Sequence, residues 1–272
     1  MEQKLVKELL LCLEENKDVA LVTVVDAQGS SPRGKGSMML VDQEGNLIEG
    51  TIGGGAIEEK AKEDALECIN RGISKSVHYE LNKSNKKDSL PMICGGSVDV
   101  FIKVFKSKDE LLIVGAGHIG FKLSKMADLL GYRVVIIDDR EEYACKERFP
   151  EADALIVGDI EKNLREYPIG EKTNIVIVSH GHKHDQEALE AVIDSGARYI
   201  GMIGSIKKVI ASFEKLKKKG IKAEKLSKVH APIGIDIGGE TPEEISLSIM
   251  AEIQAVKYNK KGSFLKLHRE CD

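Results

Sequence analysis

Gly115, Gly117 and Gly120 stand at G-x-G-x-x-G spacing in Leu111-Leu-Ile-Val-Gly-Ala-Gly-His-Ile-Gly120. The first glycine suits a tight turn, the second lets a pyrophosphate approach the backbone, and the third permits close helix–strand packing. A helix opening there offers unpaired N–H donors and a partial positive charge to an anion. Tyr132-Arg-Val-Val-Ile-Ile-Asp-Asp-Arg140 follows, with Asp138 and Asp139 at about the distance of an acid that bonds a ribose. His118, inside the turn, either meets a phosphate or a cofactor ring or simply lines the loop.

A second group is sulfur-based. Cys94 lies in Pro91-Met-Ile-Cys-Gly-Gly96, just before an alternating strand. Backbone N–H groups of Gly95 and Gly96 can point at the sulfur, a setting for thiolate chemistry or ligation of a soft metal. The plainer reading is a small residue buried at a strand start. Cys12 and Cys68 fall on helical patterns and read as core, whereas Cys145 and Cys271 have no supporting context.

Two loops offer anion binding. Ser30-Ser31-Pro-Arg33-Gly34 supplies hydroxyls and a guanidinium, the groups that bind phosphate or carboxylate. Gly53, Gly54 and Gly55 enter a helix and leave the backbone free to form an anion-holding nest. Both loops flank one small sheet and can face a common ligand. Farther on, Ser179-His-Gly-His-Lys-His-Asp185 follows a strand. His182, His184 and Asp185 look like metal ligands, but a metal site usually adds a distant ligand, and the sequence identifies none. The loop is therefore read as ligand-facing before metal-binding. Gly204-Ser205 repeats the strand-then-polar-turn pattern, and Ala231 to Gly239 forms a glycine-rich loop before the last helix.

These groups need elements to hold them. Leu5, Leu9, Leu10 and Leu13 share a helical period, predicting an amphipathic helix over residues 3–16. Strands are expected at 19–25, 38–41, 47–52, 75–81 and 98–105, with a helix over 57–69. Together they make a small α+β domain, residues 1–106, with a mostly antiparallel sheet. Beyond the polar stretch Lys106–Glu110, continuous apolar strands at 111–114, 133–137, 154–157, 174–178 and 199–203 alternate with helices. That pattern predicts a parallel, doubly wound, Rossmann-like sheet over residues 107–272, and an α/β protein as a whole. Thr241-Pro-Glu-Glu244 reads as a capping box opening the final helix.

Composition narrows the class. A length of 272 residues with 42% hydrophobic content supports one large or two modest domains with a real core. The net charge of −4 argues against nucleic acid and membrane surfaces as partners. No apolar run approaches the roughly 20 residues that span a bilayer. The first residues lack the apolar core of a signal peptide. Five cysteines without paired spacing point to the reducing cytoplasm.

Taken in this order, the motifs resemble the xanthine dehydrogenase accessory factors, the XdhC/CoxI family. Gly29-Ser-Ser-Pro-Arg-Gly34, Thr51-Ile-Gly-Gly-Gly55 and Cys94-Gly-Gly96 resemble its N-terminal domain. Gly115–Gly120, the His-rich loop, Ile203-Gly-Ser205 and His230-Ala-Pro-Ile-Gly-Ile-Asp-Ile-Gly238 resemble its Rossmann domain. The resemblance implies a chaperone of the molybdenum cofactor, or molybdopterin. Such a protein holds the cofactor while a terminal sulfido ligand is installed, and inserts it into an apo molybdenum hydroxylase of the xanthine dehydrogenase type. It also implies a cysteine desulfurase as sulfur-supplying partner, with a homodimer as one expected assembly. Where family members carry arginines after Gly204-Ser205, this chain has Ile206-Lys-Lys208, which keeps the charge but loses bidentate pairing.

Read from the residues alone, two other functions stay open. One is an NAD(P)-dependent oxidoreductase with Asp138 on the ribose and Cys94 or His182 in the chemistry. The other is a redox-sensing, nucleotide-binding regulator.

Overall fold

A computed structural model describes residues 2–29, 33–81 and 96–265, with the backbone alone for His182 and Lys183. The chain divides into two compact units, Met1–Ser107 and Lys108–Asp272.

The first unit is a five-stranded antiparallel sheet between helices. Its strands are β1 (Val19–Gln28), β2 (Met38–Asp42), β3 (Leu47–Gly50), β4 (Lys75–Leu81) and β5 (Gly96–Phe105), in the order β3-β2-β1-β5-β4. Alternation decides what lies on each face. Ala20, Val22 and Val24 of β1 pack with Val98, Val100 and Ile102 of β5 beneath α2 (Gly55–Arg71), which contributes Ile57, Ala61 and Ala65. Val19 and Leu21 point the other way, to α1 (Glu2–Glu14). The apolar stripe of α1 differs from the expected one. Leu5, Leu9 and Cys12 pack on the sheet, while Leu10 and Leu13 are exposed at 53% and 40%. The i, i+4, i+7 row is the one that fits the sheet, and Leu10 and Leu13 fall off it.

The second unit is a five-stranded parallel sheet in the order β10-β9-β6-β7-β8. Its strands are β6 (Glu110–Val114), β7 (Arg133–Asp138), β8 (Ala154–Val157), β9 (Thr173–Ile177) and β10 (Tyr199–Met202). Every residue of β6 and β9 is buried, as expected of central strands covered on both faces. Leu111, Ile113, Val134 and Ile136 pack under α3 (His118–Leu129) and α8 (Pro242–Lys257). Leu112, Val114, Val135 and Ile137 pack under α4 (Ile160–Glu166), α5 (His182–Val192) and α6 (Ile206–Lys218). A short α7 (Ala223–Leu226) follows. This is the Rossmann-like, doubly wound sheet read from the sequence. Its strand order reverses between β6 and β9, and in such sheets the ligand crevice lies outside the carboxyl ends of the strands at that reversal.

α8 starts as its sequence requires. Thr241 caps it, Pro242 occupies the first turn, and the Glu244 carboxylate accepts the Thr241 N–H at 3.0 Å. Among the described residues, no helix is long and apolar enough to cross a membrane.

Candidate functional site

The site is built from the turn at the end of β6. Gly115 has φ +120°, and a Cβ there would lie 2.4 Å from the Val178 carbonyl oxygen at the end of β9. A Cβ on Gly120 would lie 2.0 Å from the Gly115 carbonyl oxygen. These two glycines are therefore required by packing alone. Gly117 is different. It precedes α3 with φ −73°, an ordinary value, and its missing Cβ would touch nothing within 4 Å. Neither strain nor packing demands glycine there, and the bare position leaves open space over the N-terminus of α3. His118 is exposed at the first position of that helix.

The two acids after β7 separate into different roles. Asp138 is fully buried and accepts the Ala116 N–H at 2.7 Å. Its other contacts are the Arg140 guanidinium, at 2.8 Å and 3.0 Å, and the Arg140 N–H at 3.0 Å. Burial pushes its carboxyl up, but Arg140 and these N–H groups outweigh it and hold the group at about 2. Where the sequence suggested a ribose-bonding acid, Asp138 Oδ2 accepts from Ala116 and Arg140 and its Oδ1 from Arg140, so the carboxylate braces the turn and the exit from β7. Asp139 is the exposed acid of the pair.

The His-rich loop also resolves into parts. Asp185 is buried and takes the Ser179 hydroxyl at 2.6 Å and the Ser179 N–H at 3.1 Å, which ties the loop to the first turn of α5. Its Oδ1 thus ties the loop together, and among the described residues it is Asp139, not Asp185, whose ligand atom comes together with those of His180 and His184. The His180 and His184 rings are neighbours, with centroids 4.9 Å apart and planes tilted by 40°. His180 Nδ1 is 3.6 Å from Asp139 Oδ1. The link between His180 and Asp139 is not visible in the sequence, where nothing connects residues that follow two strands separated by a third. The side chain of His182 lies outside the described residues.

Gly204 follows β10, and Ser205 precedes α6 with no side-chain capping bond. A cleft of about 140 Å³ between the ends of β10, α5 and α6 is lined by Asp185, Ile203, Lys208 and Ser212 among others, but not by Gly204 or Ser205. Lys208 thus lines it from the first turn of α6. Behind β10, Glu252 of α8 organises the last glycine-rich loop. It accepts the Tyr199 hydroxyl at 2.5 Å and the Gly234 N–H at 2.9 Å, and His230 Nδ1 is 3.2 Å away. Burial pushes its carboxyl up, yet the bonds from His230, Tyr199 and Gly234 prevail and leave it below the usual range.

In the first unit, Arg33 and Lys35 share a cleft of about 250 Å³ with Ser37 and Thr51. Gly34, between them in the chain, is exposed. The second expected anion site changes character. Glu58 Oε2 accepts the Thr51 hydroxyl at 2.6 Å and the Gly54 N–H at 3.1 Å, while Thr51 Oγ1 accepts the Gly53 N–H at 3.1 Å. The nest of Gly53, Gly54 and Gly55 is therefore occupied by the chain's own carboxylate, and an external phosphate finds these two donors already used. Gly53, Gly54 and Gly55 all have positive φ, +133°, +73° and +61°, which explains all three glycines by conformation.

Ser31, Cys94 and Gly95 lie outside the described residues. Gly96 opens β5 opposite Leu81. Among the described residues the cysteines are unpaired. Cys12 and Cys68 are core, and burial pushes both thiols up and away from reactivity.

Known proteins resemble the chain over nearly its whole length. An uncharacterized protein of Escherichia coli K12, YqeB, is 33% identical over 93% of this chain, which spans 46% of YqeB. A probable xanthine dehydrogenase subunit of Bacillus subtilis 168 is 24% identical over 89% of this chain and 94% of its own length. The molybdenum cofactor insertion chaperone PaoD of E. coli K12 is 21% identical over 92% of this chain and 86% of its own. Residues 12–80 match the XdhC and CoxI family and residues 111–253 match the XdhC Rossmann domain. The chain therefore belongs to the XdhC and CoxI family.

Proposed function

We propose that this protein is a molybdenum-cofactor accessory protein. In this reading it binds a molybdopterin-type cofactor, shelters it while its sulfido ligand is installed, and delivers it to an apo molybdenum hydroxylase of the xanthine dehydrogenase type. The supporting observation is the open position over Gly117 at the strand-order reversal, where a helix N-terminus faces space that any side chain would fill. A phosphate or pyrophosphate is the group such a mouth suits. The names of two relatives, a molybdenum cofactor insertion chaperone and a probable xanthine dehydrogenase subunit, direct that general fit to this cofactor.

When bound, the cofactor supplies a dithiolene-held molybdenum, a soft centre that favours sulfur ligands. The chain's own residues have simpler tasks. The α3 N-terminus orients the anionic end, and Asp138 keeps the turn in shape. Arg33 and Lys35 offer a second cationic cleft to phosphate or carboxylate. Cys94 serves as the soft ligand or sulfur carrier in this reading, with a cysteine desulfurase as the class of donor. The spent carboxylate of Asp138 gives the nicotinamide-oxidoreductase alternative no support at its ribose acid.

The test is mass spectrometry and metal analysis of the full chain purified from cells that make the cofactor. Co-purifying pterin and molybdenum are expected. Arg33→Ala should weaken cofactor binding by roughly 1.5–3 kcal/mol, the range for hydrogen bonds to charged groups. NAD(P) bound in place of pterin would replace this reading with the oxidoreductase.

A further inference from the structure

We propose that Asp139, His180 and His184 form a binding site for a divalent transition-metal ion at the carboxyl edge of the second unit's sheet. The inference does not rest on the cofactor reading above. One ligand atom from each residue lies within 4.8 Å of the other two. Donors around a tetrahedral ion at ~2.0–2.1 Å stand roughly 3.3 Å apart. The His180–Asp139 pair, at 3.6 Å, is already near that spacing. The three side chains are 33–38% exposed, which leaves them room to turn toward a shared ion.

The fold explains why these groups meet. Asp139 follows β7 and His180 follows β9, the two strands flanking β6. His184 lies one helical turn into α5, so its ring returns over His180. Asp139 is available because its neighbour commits Arg140 elsewhere. Arg140 Nε is 2.8 Å from Asp138 Oδ1 but 3.9 Å from Asp139 Oδ1. Glu187 stands 3.7 Å from His184 Nδ1, where a second carboxylate can orient the imidazole.

Ligand chemistry selects the ion. Two imidazoles with one carboxylate suit zinc, cobalt, nickel or ferrous iron, whereas magnesium and calcium prefer all-oxygen shells. Three protein ligands leave coordination positions open to water or to an anion. The site lies beside the glycine turn, so a bound ion adds positive charge where α3 already favours an anion.

The experiment uses the full chain, reduced, stripped with a chelator and free of pterin. Cobalt(II) is titrated and followed by its visible absorption, with zinc displacement by calorimetry. One ion per chain is expected, with a nitrogen- and oxygen-ligand spectrum. His180→Ala, His184→Ala and Asp139→Asn should each weaken binding at least about tenfold while keeping the parent's unfolding midpoint. His78→Ala, which removes an exposed imidazole paired with Asp99 in the first unit, should leave binding unchanged. No stoichiometric uptake by the parent, or uptake that survives all three substitutions, overturns the proposal. So does a thiolate-type cobalt spectrum that disappears in Cys94→Ser. Because no pterin is present, a failure here leaves the cofactor reading untouched, and a failure to bind pterin leaves this one untouched.

Discussion

The Asp138 carboxylate accepts the backbone N–H of Ala116, at 2.7 Å, from the neighbouring strand, and so holds the glycine turn of the Rossmann unit from beneath. The pair is fully buried. The same carboxylate grips Arg140, so one side chain fixes both the turn after β6 and the exit from β7.

This bracing has a pH signature. The folded-state carboxyl, at about 2, lies below the ~3.9 of an unfolded aspartate. Its stabilisation is therefore complete above about pH 4 and is lost as pH falls toward about 2. Asp138→Asn should cost roughly 2 kcal/mol at neutral pH. Denaturant unfolding of parent and variant should converge in acid. A gap that persists at the lowest pH would assign the loss to packing instead.

The glycines of the turn should separate stability from binding. Gly120→Ala drives a methyl into the Gly115 carbonyl, so it should cost at least 1–3 kcal/mol, the usual range for overpacking, or fail to fold. Gly117→Ala meets nothing and should stay within about 0.5 kcal/mol of the parent. It should nonetheless weaken cofactor binding about tenfold, equivalent to about 1.4 kcal/mol, by filling the mouth. Thermal melts and cofactor titration on the two variants measure both effects.

Glu252 should control the loop from Ala231 to Gly239. Glu252→Ala leaves the Tyr199 hydroxyl and the Gly234 N–H without their acceptor. A loss of about 1–3 kcal/mol is expected, the cost of leaving such hydrogen-bonding groups without a partner. Because the carboxyl is held below its usual range, the parent should keep this contribution above about pH 4.3 and lose it as pH falls further. Hydrogen exchange at Gly234 and Ile235 should report it, with equal exchange in parent and variant counting against the assignment.

Cys94 is testable through delivery. Cys94→Ser replaces a soft ligand with a hard one at nearly constant size. Reconstitution with apo molybdenum hydroxylase should then yield less sulfurated, active enzyme. Cys145→Ser, which alters a partly exposed thiol 3.7 Å from the Glu142 carbonyl, controls for general thiol loss. Equal activity from Cys94→Ser and parent would make the cysteine structural.

Local physics made much of the fold legible in the sequence. The runs at 75–81 and 154–157 are strands with those bounds, and Thr241 to Glu244 is the capping box it spells. The glycine turn followed by a buried strand likewise places the first strand, turn and helix of the Rossmann-like sheet, because tight turns and continuous apolar runs each answer to neighbours a few residues away. Tertiary structure decided which groups are free. In the sequence Asp138 and Asp139 are equivalent, and Gly53 to Gly55 is an open nest. β7 is buried on both faces and ends at Asp138, so Asp138 is buried while Asp139, one residue past the strand, is exposed. Folding brings Glu58 back onto the nest from one turn into α2. The meeting of Asp139 with His180 was hidden in the same way, since it depends on β7 and β9 lying on either side of β6. A crossover connection sets that neighbourhood, and no local pattern of residue types encodes it.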